Sequence, residues 1–600
     1  MNVIRGDFMS KIHINGISIK NYRSFREEKV IIFPDEQYKK PVAIVGYNNS
    51  GKTNLLNSIL FGITEKYVTK DTFTLDDFHN RDINNIPNIY TGINASNEIK
   101  KEGKYANLTG YHFLNIKLDG HEIESAKIES YNDKERKDKN YQAFGANKYY
   151  KIFYVNFHEI KKELSTKKTS WGNLTSFLAK HIKSIVDSDK EMLRKKVDFK
   201  NEIKKSTENV IENSNLHNFL NKIQKNYSRN LRDNNCNIEF GLPEYEDIFL
   251  EMMFKIGLNG NLENLVPIDH FGDGYISMFV MAVIQAIAED NEEDRCLFIF
   301  EEPESFLHEN HQEYFYKAVL CGLAENGHQV IYTTHSDKMI DIFDTKGLIR
   351  VEFDEELKQT EIKYNKAKED FLCESNELVD KIKDYNNYIK IIEPNLNKII
   401  FSRKVILVEG PNDMMVYKEA IRKKVLDKTG DIKFADTYLN FNNISIIPHH
   451  GKITALVLIK LCKHLGLDYF VINDFDFESN FVNKLVTFDT EDELKESKFY
   501  LDKIKILESK NIKGEERSET TKRGMVTTNW QLINESGINQ IHFNIPKLES
   551  VIGYSQNDKN SMGIWKTIND IKEFKEDLFP RKLIEFLEID KIECRSKITI

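Results

Sequence analysis

The order of hydrophobic and polar positions predicts two α/β regions joined by a charged stretch. Residues 12–19 alternate apolar and polar side chains, the period of a half-buried strand. A short apolar run at 42–45, a glycine-containing turn and an apolar stretch at 54–61 predict a buried strand followed by a helix. The same patterns predict further strands at 113–118, 151–157, 296–300 and 330–333, and helices at 278–288 and 312–324.

The second α/β region follows a charged, helical stretch with few glycines or prolines. It alternates strands and helices, as parallel sheets with crossover helices do. Its predicted strands are 405–408, 445–447, 469–472 and 540–544, and its predicted helices are 414–424 and 454–465. We therefore expect an α/β fold with a first domain at 1–365, a helical connector at 366–400 and a second domain at 401–600.

Two segments with many charged residues carry less specific signals. Mixed charges at helical spacing predict a helical insertion at 160–245, which is a candidate dimerisation element, although a solvated helical face is the simpler interpretation. Residues 509–523 have the composition of an exposed loop. Basic stretches at 194–205 and 510–523 are candidate phosphate contacts or solvated segments.

Composition limits the classes of protein. The chain has 600 residues, of which 40% are hydrophobic and 30% charged, as in globular proteins, and its net charge is −9. That charge neither indicates nor excludes a nucleic-acid binder, because binding depends on local basic surface. No apolar run reaches the ~18 residues that a membrane span needs, and the N-terminus lacks a signal-like apolar region, so we expect no membrane association. The six cysteines form no CxxC pair, which argues against a disulfide scaffold and favours a reducing cytoplasm.

The turn after the 42–45 strand fits the phosphate-binding pattern GxxxxGK[ST], and it lies between a strand and a helix as that function requires. Glycines let main-chain N–H groups converge on phosphates, and the helix N-terminus adds partial positive charge. The lysine would reach the β- and γ-phosphates of ATP, and the threonine would hold Mg²⁺. A glycine-rich turn without a ligand is the alternative. The residues of the pattern are Gly46, Tyr47, Asn48, Asn49, Ser50, Gly51, Lys52 and Thr53.

An acidic pair follows the apolar strand at 296–300, as a P-loop ATPase needs. Glu301 takes the first acidic position, where aspartate is usual, and Glu302 is the candidate general base that polarises the attacking water. His335 ends the strand at 330–333, where it could sense the γ-phosphate. Solvated carboxylates at a capped strand end are the alternative for the acidic pair, and a structural histidine is the alternative for His335.

These motifs resemble the ATP-binding-cassette ATPases of the SMC and RecF type. The segment NYRSF at 21–25 resembles the opening of those ATPases, and the resemblance covers about 1–80 and 245–345. It implies ATP held between two heads, hence a homodimer or a higher homo-oligomer. The segment FGDGYIS at 271–277 departs from the LSGGQ signature and keeps only a glycine-containing turn. Whether ATP is hydrolysed therefore stays open.

Carboxylates end two apolar strands of the second domain. Glu409 follows the strand at 405–408, Asp413 lies one helical turn further on, and Asp474 and Asp476 follow the strand at 469–472. Residues two apart in an extended chain face the same side, so Asp474 and Asp476 can meet a common metal opposite Glu409. Converging carboxylates suit Mg²⁺ or Mn²⁺, and a two-metal site stabilises both the attacking and the leaving oxygens in phosphodiester cleavage. Surface acids are the alternative if either segment stands alone.

The EGxxD and DxD segments resemble the Toprim fold. An SMC-like ATPase followed by a Toprim domain resembles the OLD (overcoming lysogenization defect) nucleases, including Gabija-type nuclease subunits and OLD-like effectors encoded beside retrons. The resemblance implies a second-metal glutamate, best matched by Glu549, and a late basic residue near the scissile phosphate, best matched by Lys559 with Lys566 behind it. Asp413 stands as a ligand or as a residue that supports the ligands. In the PHHGK turn at 448–452, the histidines are interpreted as turn residues or as residues that support the ligands, rather than as ligands.

The sequence thus predicts an ATP-binding, metal-dependent DNA endonuclease, with defence against phage implied by the resemblance alone. The resemblance also implies DNA and a defence-system partner, either a helicase subunit or a reverse transcriptase with its DNA–RNA product. The main alternative is an SMC-like or RecF-like ATPase scaffold or DNA-binding protein whose Toprim domain does not cut. A topoisomerase would need a strand-passing tyrosine module and a primase a zinc module, and neither is evident. The Toprim half disfavours a transporter ATPase.

Overall fold

The computed structural model describes most of the chain in two compact units. The described residues are 10–63, 68–69, 71–97, 109–139, 152–158, 182, 185–186, 189–211, 217–219, 221–225, 255–256, 265–267, 270–289, 295–305, 307–369, 371, 388–477, 481–506, 518–555 and 560–592. Unit 1 comprises residues 1–30, 36–42 and 53–334. Unit 2 comprises residues 31–35, 43–52 and 335–600.

The strands are numbered in chain order. They are β1 (Ser10–Lys20), β2 (Lys29–Ile32), β3 (Val42–Val45), β4 (Asn88–Asn97), β5 (Gly110–Asp119), β6 (Glu122–Tyr131), β7 (Ile152–Asn156), β8 (Lys255–Ile256), β9 (Val266–Pro267), β10 (Leu297–Glu301), β11 (Gln329–Thr334), β12 (Leu348–Asp354), β13 (Gln359–Asn365), β14 (Lys404–Val408), β15 (Ile444–Pro448), β16 (Asp468–Asp474) and β17 (Ile541–Asn544).

The α-helices are numbered in the same way, and a π-helical segment (Phe315–Cys321) joins the fourth and fifth. They are α1 (Lys52–Gly62), α2 (Lys190–Ile211), α3 (Asp273–Glu289), α4 (Glu309–Tyr314), α5 (Gly322–Glu325), α6 (Pro411–Thr429), α7 (Ile432–Phe441), α8 (Lys452–His464), α9 (Val482–Leu485), α10 (Glu491–Glu496), α11 (Lys498–Ile506), α12 (Glu519–Ser536), α13 (Leu548–Val551), α14 (Ser561–Asp570) and α15 (Arg581–Leu587). No described helix is both long and apolar enough to cross a bilayer.

Unit 1 contains an antiparallel sheet and a group of parallel strands. The antiparallel strands follow the order β1-β4-β5-β6, and β10 lies between β7 and β11 with all three parallel. Every residue of β10 and β11 is buried, as expected for parallel strands covered on both faces. The ring of Phe298 in β10 stacks on Phe153 in β7, with ring centroids 4.8 Å apart. This packing fixes β10, whose carboxyl end carries the acidic pair at 301–302.

Unit 2 contains the strand that leads into the phosphate-binding turn. β12 pairs in parallel with β3 and antiparallel with β13. Arg350 of β12 is opposite Val45 of β3 on one side and Tyr364 of β13 on the other. The phosphate-binding turn therefore starts one residue beyond a strand that is held by its neighbours in the same unit.

A second sheet in unit 2 has four parallel strands in the order β15-β14-β16-β17. Helix α6 begins at Pro411, which suits the first helical position because its missing N–H has no intrahelical partner there, and ends before Gly430 with φ 67°. Because the strands are parallel, their carboxyl ends share one edge, which we call the nuclease edge: the last residues of β14, β16 and β17 and the residues that follow them. Ligands of open α/β sheets bind at such edges.

The structure confirms the predicted strands and helices that fall on described residues, with ends shifted by one to several positions. The interpretation of 509–523 as a loop is wrong for its last part, because α12 begins at Glu519. The charged pattern there continues into a helix whose later turns carry Val526 and Trp530 into the core. Much of the predicted 160–245 insertion lies outside the described residues, while α2 within it is helical as expected.

Candidate functional site

Two glycines give the phosphate-binding turn its shape. A Cβ on Gly46 would lie 2.2 Å from the carbonyl oxygen of Val351 and 2.6 Å from Ser50 Oγ, so only glycine fits where the loop leaves β3. Gly51 has φ 101°, a conformation that L side chains rarely adopt. Thr360 of β13 donates its hydroxyl hydrogen to the carbonyl of Ser50 at 3.0 Å. The turn is therefore built around its own backbone and anchored by a neighbouring strand.

Lys52 lies inside this turn. Its ammonium donates to the carbonyls of Gly46 at 3.0 Å and Tyr47 at 2.9 Å, and lies 3.4 Å from His335 Nδ1. The structure thus brings together Lys52 and His335, which the sequence separates widely. The lysine is only 5% exposed, so a phosphate would have to draw it away from the loop carbonyls.

The remaining residues of the turn differ in exposure. Asn48 and Asn49 are exposed, and Asn49 has φ 63°. Thr53 is exposed in the first turn of α1, with its hydroxyl accessible to a ligand at the helix N-terminus.

In unit 1, the acidic pair after β10 has partners on β7 that the sequence did not reveal. Glu301 Oε2 accepts hydrogen bonds from the Tyr154 hydroxyl at 2.7 Å and from Asn156 Nδ2 at 3.2 Å. Glu302 has φ 45°, and its Oε2 lies 2.5 Å from His158 Nε2. The buried Glu301 is held in place, whereas Glu302 is partly exposed beside His158.

At the nuclease edge of unit 2, Glu409 and Asp474 are direct neighbours. Glu409 Oε2 accepts a hydrogen bond from the main-chain N–H of Asp474 at 3.0 Å and from Asn473 Nδ2 at 3.4 Å. Asp474 Oδ1 accepts from the main-chain N–H of Leu548 at 2.9 Å. Three consecutive parallel strands thus contribute to one acidic cluster, as the spacing predicts.

Two carboxyl groups of this edge, those of Asp474 and Asp413, resist ionisation. Burial, reinforced by the charges of Glu409 and Asp413, raises the pKa of Asp474 to about 8. Burial, with Glu409 and Glu549 adding repulsion, raises the pKa of Asp413 to about 7. Asp413 Oδ1 has no hydrogen-bond partner among the described residues. Buried acids that raise one another's pKa are typical of functional sites, where a cation would relieve the repulsion.

Asp476 departs from the extended geometry that its spacing suggests. β16 ends at Asp474, and Asp476 has φ 68°, so the alternation of a strand does not extend to it. Its Oδ2 accepts a hydrogen bond from Lys452 Nζ at 2.5 Å. Glu549 is buried in the first turn of α13, and Lys559 lies outside the described residues. Lys566 is exposed on α14.

The described residues contain no group of three or more His, Cys, Asp or Glu side chains already placed to hold a metal ion. The reason is visible in the contacts: Glu409 and Asp474 bind main-chain N–H groups, and Asp476 binds Lys452. The donors nevertheless fit a hard divalent cation, because all are carboxylates, they are mutually repulsive, and Asp413 has an unsatisfied buried oxygen.

A polar network that includes the first histidine of the PHHGK turn supports Glu409. His449 Nε2 lies 3.0 Å from Asn473 Oδ1, and Gly451 N–H donates to His449 Nδ1 at 3.2 Å. Burial lowers the pKa of His449 to about 4, so the ring is neutral at pH 7. His449 Nδ1 also lies 2.9 Å from the Gly451 carbonyl oxygen, so the ring is held between Gly451 and Asn473, and Asn473 in turn donates to Glu409 through Nδ2. The PHHGK turn was the only signal in the sequence.

Helix α8 connects the nuclease edge to β13. Its first residue is Lys452, and His464 at its last residue lies 2.9 Å, at Nε2, from the Tyr364 hydroxyl. Tyr364 and Thr360 both belong to β13, and Thr360 anchors the phosphate-binding turn. Between its ends α8 buries mostly apolar side chains, which pack it into the unit, while Ile453 and Lys463 stay exposed.

Comparisons with known proteins agree with this arrangement. A family described as "AAA ATPase domain" matches residues 13–340, and one described as "Overcoming lysogenization defect protein-like, TOPRIM domain" matches residues 400–476. Both matches confirm the resemblance that the motifs predict.

Three relatives match at low identity. The OLD nuclease of Thermus scotoductus is 24% identical over 35% of this chain and 36% of its own length, so the chain spans little more than a third of that relative. Endonuclease GajA of Bacillus cereus is 23% identical over 69% of this chain and 68% of its own. The Old nuclease of Escherichia phage P2 is 22% identical over 78% of each chain. Since the first family match covers more than half of its residues, the chain belongs to the AAA ATPase domain family, with a TOPRIM domain of the overcoming-lysogenization-defect type behind it.

Proposed function

We propose that the chain is an ATP-regulated, divalent-metal-dependent DNA endonuclease. The observation that carries this proposal is the buried carboxyl cluster at the nuclease edge, where Glu409 and Asp474 meet and where Asp474 has a pKa raised to about 8. Buried like charges are costly and persist where a cation uses them. The names of the relatives, which are nucleases, support DNA as the substrate.

The carboxylates divide between two cations in this proposal. Glu409, Asp474 and Asp476 would hold the first Mg²⁺ or Mn²⁺, Glu549 would serve the second, and Asp413 would support them as a ligand or through a water. Bound in this way, the metals stabilise the attacking and leaving oxygens of phosphodiester hydrolysis.

This chain's own residues orient those ligands. The His449–Asn473 pair holds Glu409, and Leu548 N–H holds Asp474. Lys559 is the proposed basic residue near the scissile phosphate.

ATP binding is assigned to the turn at 46–53. Lys52 leaves the loop carbonyls for the β- and γ-phosphates, Thr53 takes the Mg²⁺ that accompanies ATP, and His335 follows the γ-phosphate through its contact with Lys52. From the sequence motif, Glu301 is the proposed acidic partner of ATP-bound Mg²⁺, and Glu302, which lies beside His158, is the proposed general base for ATP hydrolysis. Two copies of the chain are expected to close around ATP.

Contacts within unit 2 support a link from ATP to the nuclease edge. Thr360 touches the phosphate-binding turn, and Tyr364 of the same strand holds the last residue of α8, whose first residue contacts Asp476. A second link runs through the buried Arg350, which donates to the Ser402 carbonyl at 2.9 Å, just before β14. Movement of β13 or β12 on ATP binding would therefore reach both strands that carry the metal ligands.

We also propose that this nuclease acts as an effector of bacterial defence against phage, together with a partner such as a helicase subunit or a reverse transcriptase with its DNA–RNA product. The proposal rests on the likeness to overcoming-lysogenization-defect proteins. Phage plaque counts on cells that express the chain or its Asp474→Asn variant test it. Equal counts from both would contradict a defence role for the cutting activity.

The first experiment incubates supercoiled plasmid with the protein and Mg²⁺ or Mn²⁺, with and without ATP. Asp474→Asn is the test variant and Asp468→Asn, at the opposite end of the same strand, is the matched control. We expect nicked or linear DNA from the wild type and from Asp468→Asn, and none from Asp474→Asn. Comparing the lanes with and without ATP tells whether ATP activates or inhibits cleavage.

The alternative is an SMC-like or RecF-like scaffold or DNA-binding protein whose Toprim domain does not cut. Under that alternative the wild type binds DNA and ATP but leaves the plasmid intact, also in the presence of a defence-system partner. Cleavage that persists in Asp474→Asn would instead contradict the proposed metal site.

A further inference from the structure

Deepening the proposed nuclease function, on which it rests, we propose that Lys452 controls metal loading at Asp476. In the metal-free protein its ammonium occupies the Asp476 carboxylate. A divalent cation must displace it, and the released ammonium then pairs with a phosphate of the DNA backbone.

The contacts of Lys452 form a defined site for its ammonium group. Nζ donates to Asp476 Oδ2 at 2.5 Å and to Asn529 Oδ1 at 2.8 Å. Asn529 is fully buried, and its Nδ2 donates to the Phe475 carbonyl at 2.8 Å, which turns its oxygen toward the lysine. The Lys452 side chain is only 13% exposed and that of Asp476 is 39% exposed, so the ammonium is enclosed while the carboxylate stays open to an entering cation.

The backbone holds both partners of this ion pair in place. Lys452 is the first residue of α8, directly after Gly451, whose φ of 139° is accessible only to glycine. Asp476 has φ 68°, and its N–H donates to the Pro546 carbonyl at 2.8 Å. Because neither backbone is free to move apart, a cation that approaches Asp476 meets the ammonium there.

Competition follows from electrostatics. A divalent cation on Asp476 would lie beside an ammonium in a partly desolvated pocket, where like charges repel strongly. Binding must therefore break a charge-assisted hydrogen bond, which costs a factor of roughly 10 to 100 in affinity. The lysine thus explains why Asp476 does not join the other carboxylates of the described residues in a ready metal site.

The displaced ammonium lies at the edge where the proposed scissile phosphate binds. Lysine has three donors and acts as a point charge toward phosphate. A phosphate of the DNA backbone that enters with the metal would give Lys452 a new anionic partner in place of Asp476. Metal and DNA then favour each other's binding, because each removes the ion pair that opposes the other.

The test measures Mn²⁺ binding to the whole protein without DNA, by electron paramagnetic resonance of the free ion. Lys452→Met should bind Mn²⁺ roughly 10-fold tighter than the wild type. Lys452→Gln, which keeps the polar contacts without the charge, should do the same if the methionine variant folds poorly. Lys463→Met is the matched control, since Lys463 lies on the same helix and pairs with Glu535 at 2.8 Å. It should bind Mn²⁺ as the wild type does.

Unchanged or weaker Mn²⁺ binding in both Lys452 variants would overturn the inference. In an Asp476→Asn background the substitution of Lys452 should have no further effect, and a persisting effect would also overturn it. Asp474→Asn separates this failure from failure of the proposed function: if it binds Mn²⁺ as the wild type does, the proposed metal site itself is wrong.

A second readout follows DNA binding to a labelled duplex in Ca²⁺. The slope of log affinity against log salt should be smaller by about one in Lys452→Met than in the wild type, the share of one phosphate contact. Equal slopes would overturn the assignment of a DNA phosphate as the second partner of Lys452.

Discussion

Metal binding at the nuclease edge should release protons, and fewer of them as the pH rises. Burial and neighbouring carboxylates raise the pKa of Asp474 to about 8 and that of Asp413 to about 7. In metal-free protein near pH 6.5 both groups are therefore mostly protonated. Mg²⁺ and Mn²⁺ bind the ionised form, so each ligand must lose its proton as the cation enters.

The size of the effect follows from these pKa values. Near pH 6.5 we expect roughly one to two protons released per site, and near pH 9 almost none. While the pH lies below the folded-state pKa, the apparent Kd should fall about tenfold per pH unit for each proton released.

The free energy of unfolding of the metal-free protein should fall as the pH rises, whereas its affinity for metal should rise. A carboxyl whose pKa is raised on folding stabilises the folded state fully only below its unfolded pKa of about 4. For these two groups that contribution is lost progressively as the pH rises toward 7 and 8, at about 1.4 kcal/mol per pH unit for each group. Metal should therefore raise the melting temperature more at pH 8 than at pH 6.

Isothermal titration calorimetry with Mn²⁺, in buffers of different ionisation enthalpy, counts the protons directly. Asp413→Asn should release fewer protons near pH 6.5 than the wild type. Glu129→Gln is the control, because hydrogen bonds to its lysine, asparagine and tyrosine neighbours outweigh its burial and lower the pKa of Glu129 to about 2, so it carries no proton at either pH. Proton release that is the same at both pH values, or unchanged in Asp413→Asn, would refute the reasoning from buried carboxyl groups.

Three further predictions concern the ATP site and its link to the nuclease edge. Lys52→Ala should weaken ATP binding by roughly 10- to 100-fold in a fluorescent-nucleotide titration, because it removes a charge-assisted phosphate contact, and undiminished binding would contradict that role. Gly46→Ala should destabilise the protein by roughly 1–3 kcal/mol in thermal melts, since its Cβ would overlap a carbonyl of the neighbouring strand, whereas Gly322→Ala, with open space around it, should not. Tyr364→Phe removes the hydrogen bond to His464 and should reduce the effect of ATP on plasmid cleavage without changing ATP affinity; an unchanged ATP effect would contradict coupling through α8.

The pattern of apolar and polar residues predicts the strands that carry both sites, but it does not predict the contacts within the sites. Apolar runs with period and length typical of buried strands place β3, β10, β14 and β16 correctly, and parallel pairing then brings their carboxyl ends to shared edges. Each of these strands is predicted from a short apolar segment of its own, so a single sequence is enough to locate them.

The contacts that the sequence does not predict join residues far apart in the chain, and the spacing of residues within a motif carries no information about them. Tyr154 and Asn156 belong to a strand far from Glu301 in the chain, and Asn529 reaches Lys452 from α12. Asp476 was expected to follow the alternation of a strand, but its positive φ turns it away from that pattern. An aspartate in a sequence predicts a positive φ less clearly than a glycine does.

Both sites hold a lysine that already binds an oxygen of its own site, and the two lysines respond to ligands of opposite charge. Lys52 donates to loop carbonyls and gains a stronger partner when an anionic phosphate enters. Lys452 donates to a carboxylate and loses its partner when a cation enters. Since α8 has 13 residues and its last residue, His464, contacts Tyr364, a displacement of β13 at the phosphate-binding turn would act, under the proposed function, on the ion pair at the other end. The ion pair lowers the affinity for metal by about the free energy of one charge-assisted hydrogen bond. A small shift of α8 that weakens the ion pair can therefore change metal occupancy severalfold. ATP would therefore regulate cleavage by setting how readily Asp476 exchanges its ammonium for a metal, without any need to move Glu409 or Asp474.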